Sequence, residues 1–154
     1  MPAIDREIIA TVFEGAPRFV DRLSSQPFES WEQLIASAQA VALSMPDEEQ
    51  IELVNSHPRI GADPATVSAT SFREQGYDRD PATEELQSRL DELNGEYERR
   101  FGFRFVVFVA GRPRSEIADL MAERMSANRT EELERALSDV FAIARDRLKK
   151  AEAR

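Results

Sequence analysis

Three side chains in this sequence have types suited to chemistry: an imidazole, a carboxylate and a guanidinium. His57 is the only histidine among 154 residues. It precedes Pro58-Arg59-Ile60-Gly61, where a helix must end, because proline disfavours helical backbone in the residue before it. An imidazole gives and takes protons near neutral pH, so one well-placed ring can serve proton transfer. The plainer reading is a helix-terminal histidine that engages the last carbonyls and the dipole, and position alone favours it. Glu74 follows Ser71 by three residues, the pattern of a capping box, which needs no further role. The functional alternative has Glu74 handling a proton, with Gln75 offering a donor and an acceptor to a urea-like ligand. Arg147 is the least ordinary of the three. It continues the apolar series Leu133, Leu137, Val140, Ala144, while Arg145, Lys149 and Lys150 lie off that line. An arginine on a core-facing stripe is costly unless an anion or several acceptors meet it. A guanidinium grips a carboxylate with two parallel hydrogen bonds. Snorkelling at a helix end accounts for the position equally well.

Composition narrows what these groups can do. There is no cysteine, which removes disulfides, a thiolate nucleophile and Cys-ligated metal. One histidine excludes any site that needs two. The net charge is -9 and the pI about 4.8. A surface of that sign repels nucleic-acid phosphates and is ill suited to membrane surfaces. An anionic substrate would therefore depend on local arginine or backbone N–H groups. The acidic pairs Glu48-Glu49, Glu84-Glu85 and Glu131-Glu132 fall in first turns of expected helices, where they complement the dipole. They read as solvated faces, not as a metal site. No apolar run approaches the ~20 residues that span a bilayer. Met1-Pro2-Ala3-Ile4-Asp5 does not read as a signal peptide, and Glu152-Ala153-Arg154 is not a peroxisomal tripeptide. The expectation is a cytoplasmic protein.

The elements that must position the three groups are helices. Asp5 can cap a helix carrying Ile8, Ile9, Val12 and Phe13, stopped at Gly15-Ala16-Pro17. A short helix holds Phe19, Val20 and Leu23, and Gln26-Pro27-Phe28 breaks the chain. Ser30 to Gln33 reads as a capping box opening a helix with Leu34, Ile35, Ala38, Val41 and Ala42. Pro46 opens the next, which ends near His57. Residues 58–80 are the least regular, with short turns starting at Asp63-Pro64 and at Ser71. Asp80-Pro81 starts a long helix to about Arg100, with the stripe Leu86, Leu90, Leu93, Tyr97. Helices from Ser115 and Thr130 close the chain. Phe101 to Gly111 has strand propensity, but a lone strand would leave its backbone unpaired. It is read as a buried extended or helical segment in an all-α fold, with N–H groups that a ligand could use. One compact multi-helix domain, 1–154, suits this length.

In this order, these residues resemble the 2-oxo-4-hydroxy-4-carboxy-5-ureidoimidazoline (OHCU) decarboxylase family. The resemblance runs through Phe13 to Pro17, Arg22, Pro27-Phe28 and Ser30. It continues in His57 to Gly61, Ser71 to Gln75 and Asn94 to Tyr97, then in Arg100 to Phe103 and Phe105 to Val107. It closes with Arg124, Asn128-Arg129, Glu131 to Leu133 and Ile143 to Leu148. It implies an all-α, homodimeric enzyme with neither metal nor organic cofactor. Such an enzyme decarboxylates a small anionic ureidoimidazoline to (S)-allantoin in urate breakdown. It makes His57 and Glu74 catalytic, with His57 the proton donor. It places Pro58, Ser71, Phe72, Arg73, Gln75 and Arg147 at the substrate, together with main chain of Phe105, Val106, Val107, Phe108 and Val109. Arg59-Ile60-Gly61 departs from the Asp-Leu-Ala common after the His-Pro pair, Asp63 stands where many members are basic, and Ala110 to Pro113 is unusually rich in glycine and proline. The alternatives are a non-catalytic helical interaction module, or a lyase or hydrolase acting on a related ureido ring.

Overall fold

The computed structural model describes residues 6–14, 16–24, 28–62, 67–76 and 83–152. Among these there are eight helices and no strand. They are α1 (Arg6–Val12), α2 (Pro17–Ser24), α3 (Trp31–Ser44), α4 (Asp47–Asn55), α5 (Ala69–Glu74), α6 (Glu84–Phe101), α7 (Arg114–Arg124) and α8 (Arg129–Glu152). The all-α expectation holds. The chain divides into two compact units, Met1–His57 with Leu137–Arg154, and Pro58–Ala136. The expected starts at Asp5, Asp63-Pro64 and Asp80-Pro81 lie outside the described residues, as does Pro27.

The first unit holds α1 to α4 and the greater part of α8. Phe13 and Phe19 meet edge to face at 4.9 Å between ring centres, and Phe13 meets Phe141 of α8 the same way at 6.2 Å. All three rings are buried. Each contributes roughly 1.5–3 kcal/mol through burial, and edge-on contact adds ~1 kcal/mol per pair. Ser30 caps α3 as expected, its hydroxyl accepting from the Gln33 N–H at 3.1 Å. The return half of the box differs: Gln33 Oε1 accepts from the N–H of Glu29, one residue earlier. Glu49 departs from the solvated-face reading. It is buried, and Arg22 of α2 grips it with two nitrogens at 2.9 Å each.

The second unit is built around α6. Its buried side is Leu90, Asn94, Tyr97 and Phe101, while Leu86 and Leu93 sit at the flanks. Asn94 takes the inward place expected for Leu93, and its Nδ2 is satisfied in the core by donating to Ile60 O and Leu90 O. Gly102 ends α6 in the left-handed conformation at φ 80°. Residues 102–109 then run without regular structure, and Phe103, Phe105, Val106, Val107 and Val109 are buried, as the sequence led one to expect. Side chains satisfy carbonyls along this stretch. Arg135 Nη1 donates to Val106 O, and Arg112 donates to Phe108 O and Val109 O. Arg135 in turn is held by Glu132, which is wholly buried, contrary to its reading as a solvated residue. The Glu132 carboxylate also accepts from Tyr97 Oη at 2.5 Å and from Arg124 Nε at 2.7 Å. Burial, then the bond to Glu132, raises the Tyr97 phenol well above its usual range, so it stays a donor.

Candidate active site

His57 lies just past α4, and its N–H bonds back to the carbonyl of Val54. The ring is 3% exposed. Burial first, and then the positive charge of Arg147, lower its pKa to about 4, against the opposing effects of Glu14 and the carbonyls of Leu53 and Val54. At neutral pH the imidazole is uncharged, able to donate from one nitrogen and accept at the other. The influence of the Leu53 and Val54 carbonyls agrees with the plainer reading of a ring that engages the last carbonyls, while a neutral ring carries no charge to set against the helix dipole.

Arg147 follows the α8 stripe inward, as its spacing predicts, and is 8% exposed. It does not snorkel. Nη1 donates to Thr11 O at 3.1 Å and Val12 O at 3.2 Å, the carbonyls that end α1. Nη2 donates to Glu14 Oε1 at 2.7 Å. The first unit thus brings together His57 from just past α4, Arg147 from α8 and Glu14 from the turn after α1. Sequence reasoning missed Glu14. It placed the helix stop at Gly15-Ala16-Pro17 and gave Glu14 no role within the Phe13 to Pro17 stretch of the resemblance, although a charged residue between two buried positions, Phe13 and Ala16, is a signal in itself.

In the second unit the chain after His57 is tied down by amides. Gln75 Oε1 accepts from Gly61 N at 2.8 Å, and its Nε2 donates to Arg59 O at 3.0 Å. Gln87 Nε2 donates to Gly61 O at 2.8 Å, beside the Asn94 bond to Ile60. Arg59 pairs with Glu98 at 2.7 Å. Gln75 is therefore first of all a clamp on the loop 59–61, which its neighbour relationships in sequence did not disclose.

The capping-box reading of Ser71 and Glu74 is overturned. α5 begins earlier, with Ser68 as its cap accepting from Ser71 N at 3.1 Å, so Ser71 lies inside the helix and Glu74 ends it. The bland explanation for Glu74 disappears with that register. Ser71 and Gln75 are buried, Pro58, Phe72 and Glu74 half-buried, and Arg73 exposed. Of the segment Phe105–Val109, only Phe108 is not fully buried.

These features define an all-helical protein that sets a lone neutral imidazole beside a fixed guanidinium. The chain belongs to the OHCU decarboxylase family, whose profile matches residues 4–149. It is 32% identical over 149 residues to the 2-oxo-4-hydroxy-4-carboxy-5-ureidoimidazoline decarboxylase of Halalkalicoccus jeotgali, covering 92% of this chain and 81% of that one. It is 29% identical to the uric acid degradation bifunctional protein PucL of Bacillus subtilis. The chain spans 28% and 29% of the length of the two bifunctional relatives it matches. The fold superposes on a crystal structure of OHCU decarboxylase in the presence of (S)-allantoin with a TM-score of 0.77 and 22% identity, covering 98% of this chain and all of that one. No helix among the described residues is long and apolar enough to cross a membrane.

Proposed function

We propose that this chain decarboxylates OHCU to (S)-allantoin in urate breakdown, without metal or organic cofactor. The observation that carries the reading is the neutral, buried His57 set beside Arg147 in a chain of this family. The substrate has a carboxylate and a hydroxyl on one ring carbon, next to a C=N bond. Loss of CO2 sends the bond's electron pair into that C=N. The hydroxyl then gives up its proton as its carbon becomes a carbonyl, and the carbon bearing the ureido arm and the ring nitrogen each take one. The net uptake is one proton. Because the substrate supplies its own electron sink, the protein has to hold the anion, stabilise developing charge and direct a proton to one face.

A neutral imidazole suits that last task. In this reading His57 accepts the hydroxyl proton and delivers it to the ring carbon, which sets the S configuration. Glu74 acts on the same hydroxyl and on the developing ring charge. Arg147 and Gln75 meet polar oxygens and the ureido arm, Gln75 through the donor and acceptor capacity beyond its two loop bonds. Pro58, Ser71, Phe72, Arg73 and the main chain of Phe105 to Val109 line the substrate. The reading also carries a single functional domain over 1–154, a homodimer and a cytoplasmic location, the dimer being checked by sedimentation.

The test starts from OHCU freshly generated from urate, with optical activity followed over time. The protein should speed formation of dextrorotatory allantoin, and His57→Asn, still folded by circular dichroism, should lose nearly all of that acceleration. A wild-type rate equal to spontaneous decay would leave a non-catalytic helical module; a near-normal His57→Asn rate would remove His57 from the chemistry.

A further inference from the structure

Glu14 sits where its backbone is unfavourable. Its φ is 55°, in the left-handed region that residues with a Cβ rarely occupy. The following residue, Gly15, is the type that takes such a turn without strain, yet the chain holds a glutamate there. The bend carries the Glu14 carboxylate to Arg147, with 2.7 Å between Oε1 and Nη2 and the two side chains 15% and 6% exposed. The same guanidinium collects the last two carbonyls of α1. Three of its five N–H groups are thereby fixed by one short stretch, Thr11 to Glu14.

We infer that Glu14 is a positioning residue: its carboxylate, presented by a left-handed turn, fixes the rotation of the Arg147 guanidinium beside His57. This rests on the functional reading above and adds to it a residue that reading does not use. Arg147 and Glu14 both act electrostatically on the His57 ring, with opposite signs. Removing the carboxylate takes away the bond that holds Nη2, so the guanidinium can pivot about its Nη1 bonds to Thr11 O and Val12 O, and it removes the negative charge that offsets Arg147 at His57. Misplacing a group near the reaction by about 1 Å can cost on the order of a hundredfold in rate.

Glu14→Gly separates backbone from side chain, since glycine accepts the left-handed turn while the carboxylate and its two-carbon stem are removed. Because the chain has one histidine, its ring gives a single imidazole Cε1–Hε1 NMR signal. In Glu14→Gly we expect kcat to fall about tenfold or more with KM unchanged or lower, the His57 signal at pH 7 to move, and sodium formate to restore both rate and signal. A merely structural glutamate would give a variant whose kinetics per folded molecule and His57 signal match wild type, with no response to formate; that result overturns the inference. Should Glu14→Gly fail to fold, Glu14→Gln must show the same fall in kcat and shifted signal, and wild-type values there overturn the inference equally. The NMR shift and its reversal by formate need no turnover. If wild-type protein proved inactive, the functional reading would fail while these signals still decided the role of Glu14.

Discussion

The His57 ring binds a proton less readily in the folded protein than in the unfolded chain, and stability must follow. Between an unfolded value near 6.5 and the folded value of about 4, the unfolded chain holds the extra proton. The stabilisation tied to the neutral ring is complete above about pH 6.5. It is lost at ~1.4 kcal/mol per pH unit as pH falls through that window, and the loss levels off at ~3 kcal/mol below the folded value. Urea unfolding of wild type and His57→Asn at pH 7 and pH 4.5 measures this. Wild type should lose ~2 kcal/mol more than the variant across that step; equal losses would mean the ring is not buried in its neutral form. At this scale the sequence was informative about Arg147, because a charged residue on an apolar stripe is visible from spacing alone. It was silent on Glu14, whose importance lies in a backbone angle and a partner far along the chain. It misjudged Glu49 and Glu132, since first-turn glutamates look alike until a partner arginine is placed.

Among elements, the loop after His57 depends most on one residue. Gly61 has φ +78°, and a Cβ built there would lie 2.9 Å from Leu90 Cδ1. Its N–H and carbonyl are both taken, by Gln75 and Gln87. Gly61→Ala must therefore strain the turn and push on the α6 core at once. We expect a loss of ~1–3 kcal/mol in urea unfolding, with kcat/KM falling in the OHCU assay as the loop shifts; unchanged stability would show that the loop relaxes without cost. The helices themselves were largely legible, because caps and prolines act locally: Ser30 opens α3 and Pro46 precedes α4 as read. The start of α5 was not. Ser68 and Ser71 are equally good caps in isolation, and only the folded backbone chooses Ser68, which turns Glu74 from a cap into a helix-terminal side chain.

Over the whole molecule the net charge of -9 sets a field that opposes an anionic substrate. Arg147 adds little long-range attraction, since Glu14 neutralises it at 2.7 Å. Salt should therefore help. Raising ionic strength from about 10 mM to about 150 mM shortens the screening length from ~30 Å to ~8 Å, and kcat/KM for OHCU should rise up to a few-fold. A fall instead would mean that a local positive field governs capture. The all-α class, the absence of thiol chemistry and the sign of this field are properties of composition and pattern, and no fold was needed to obtain them.

Periodicity, caps and proline positions act over a few residues, so the sequence by itself determined most of the helices, the burial of the segment after Phe101 and the place of Arg147 on an apolar stripe. Pairings over longer separations were decided only by the tertiary structure: Glu14 with Arg147, Gln75 with the loop at Gly61, Glu132 with Tyr97. The reason is physical. A buried charge or amide is tolerable only when its partner is in place, and that partner is chosen by packing between helices, which leaves no local trace in the chain.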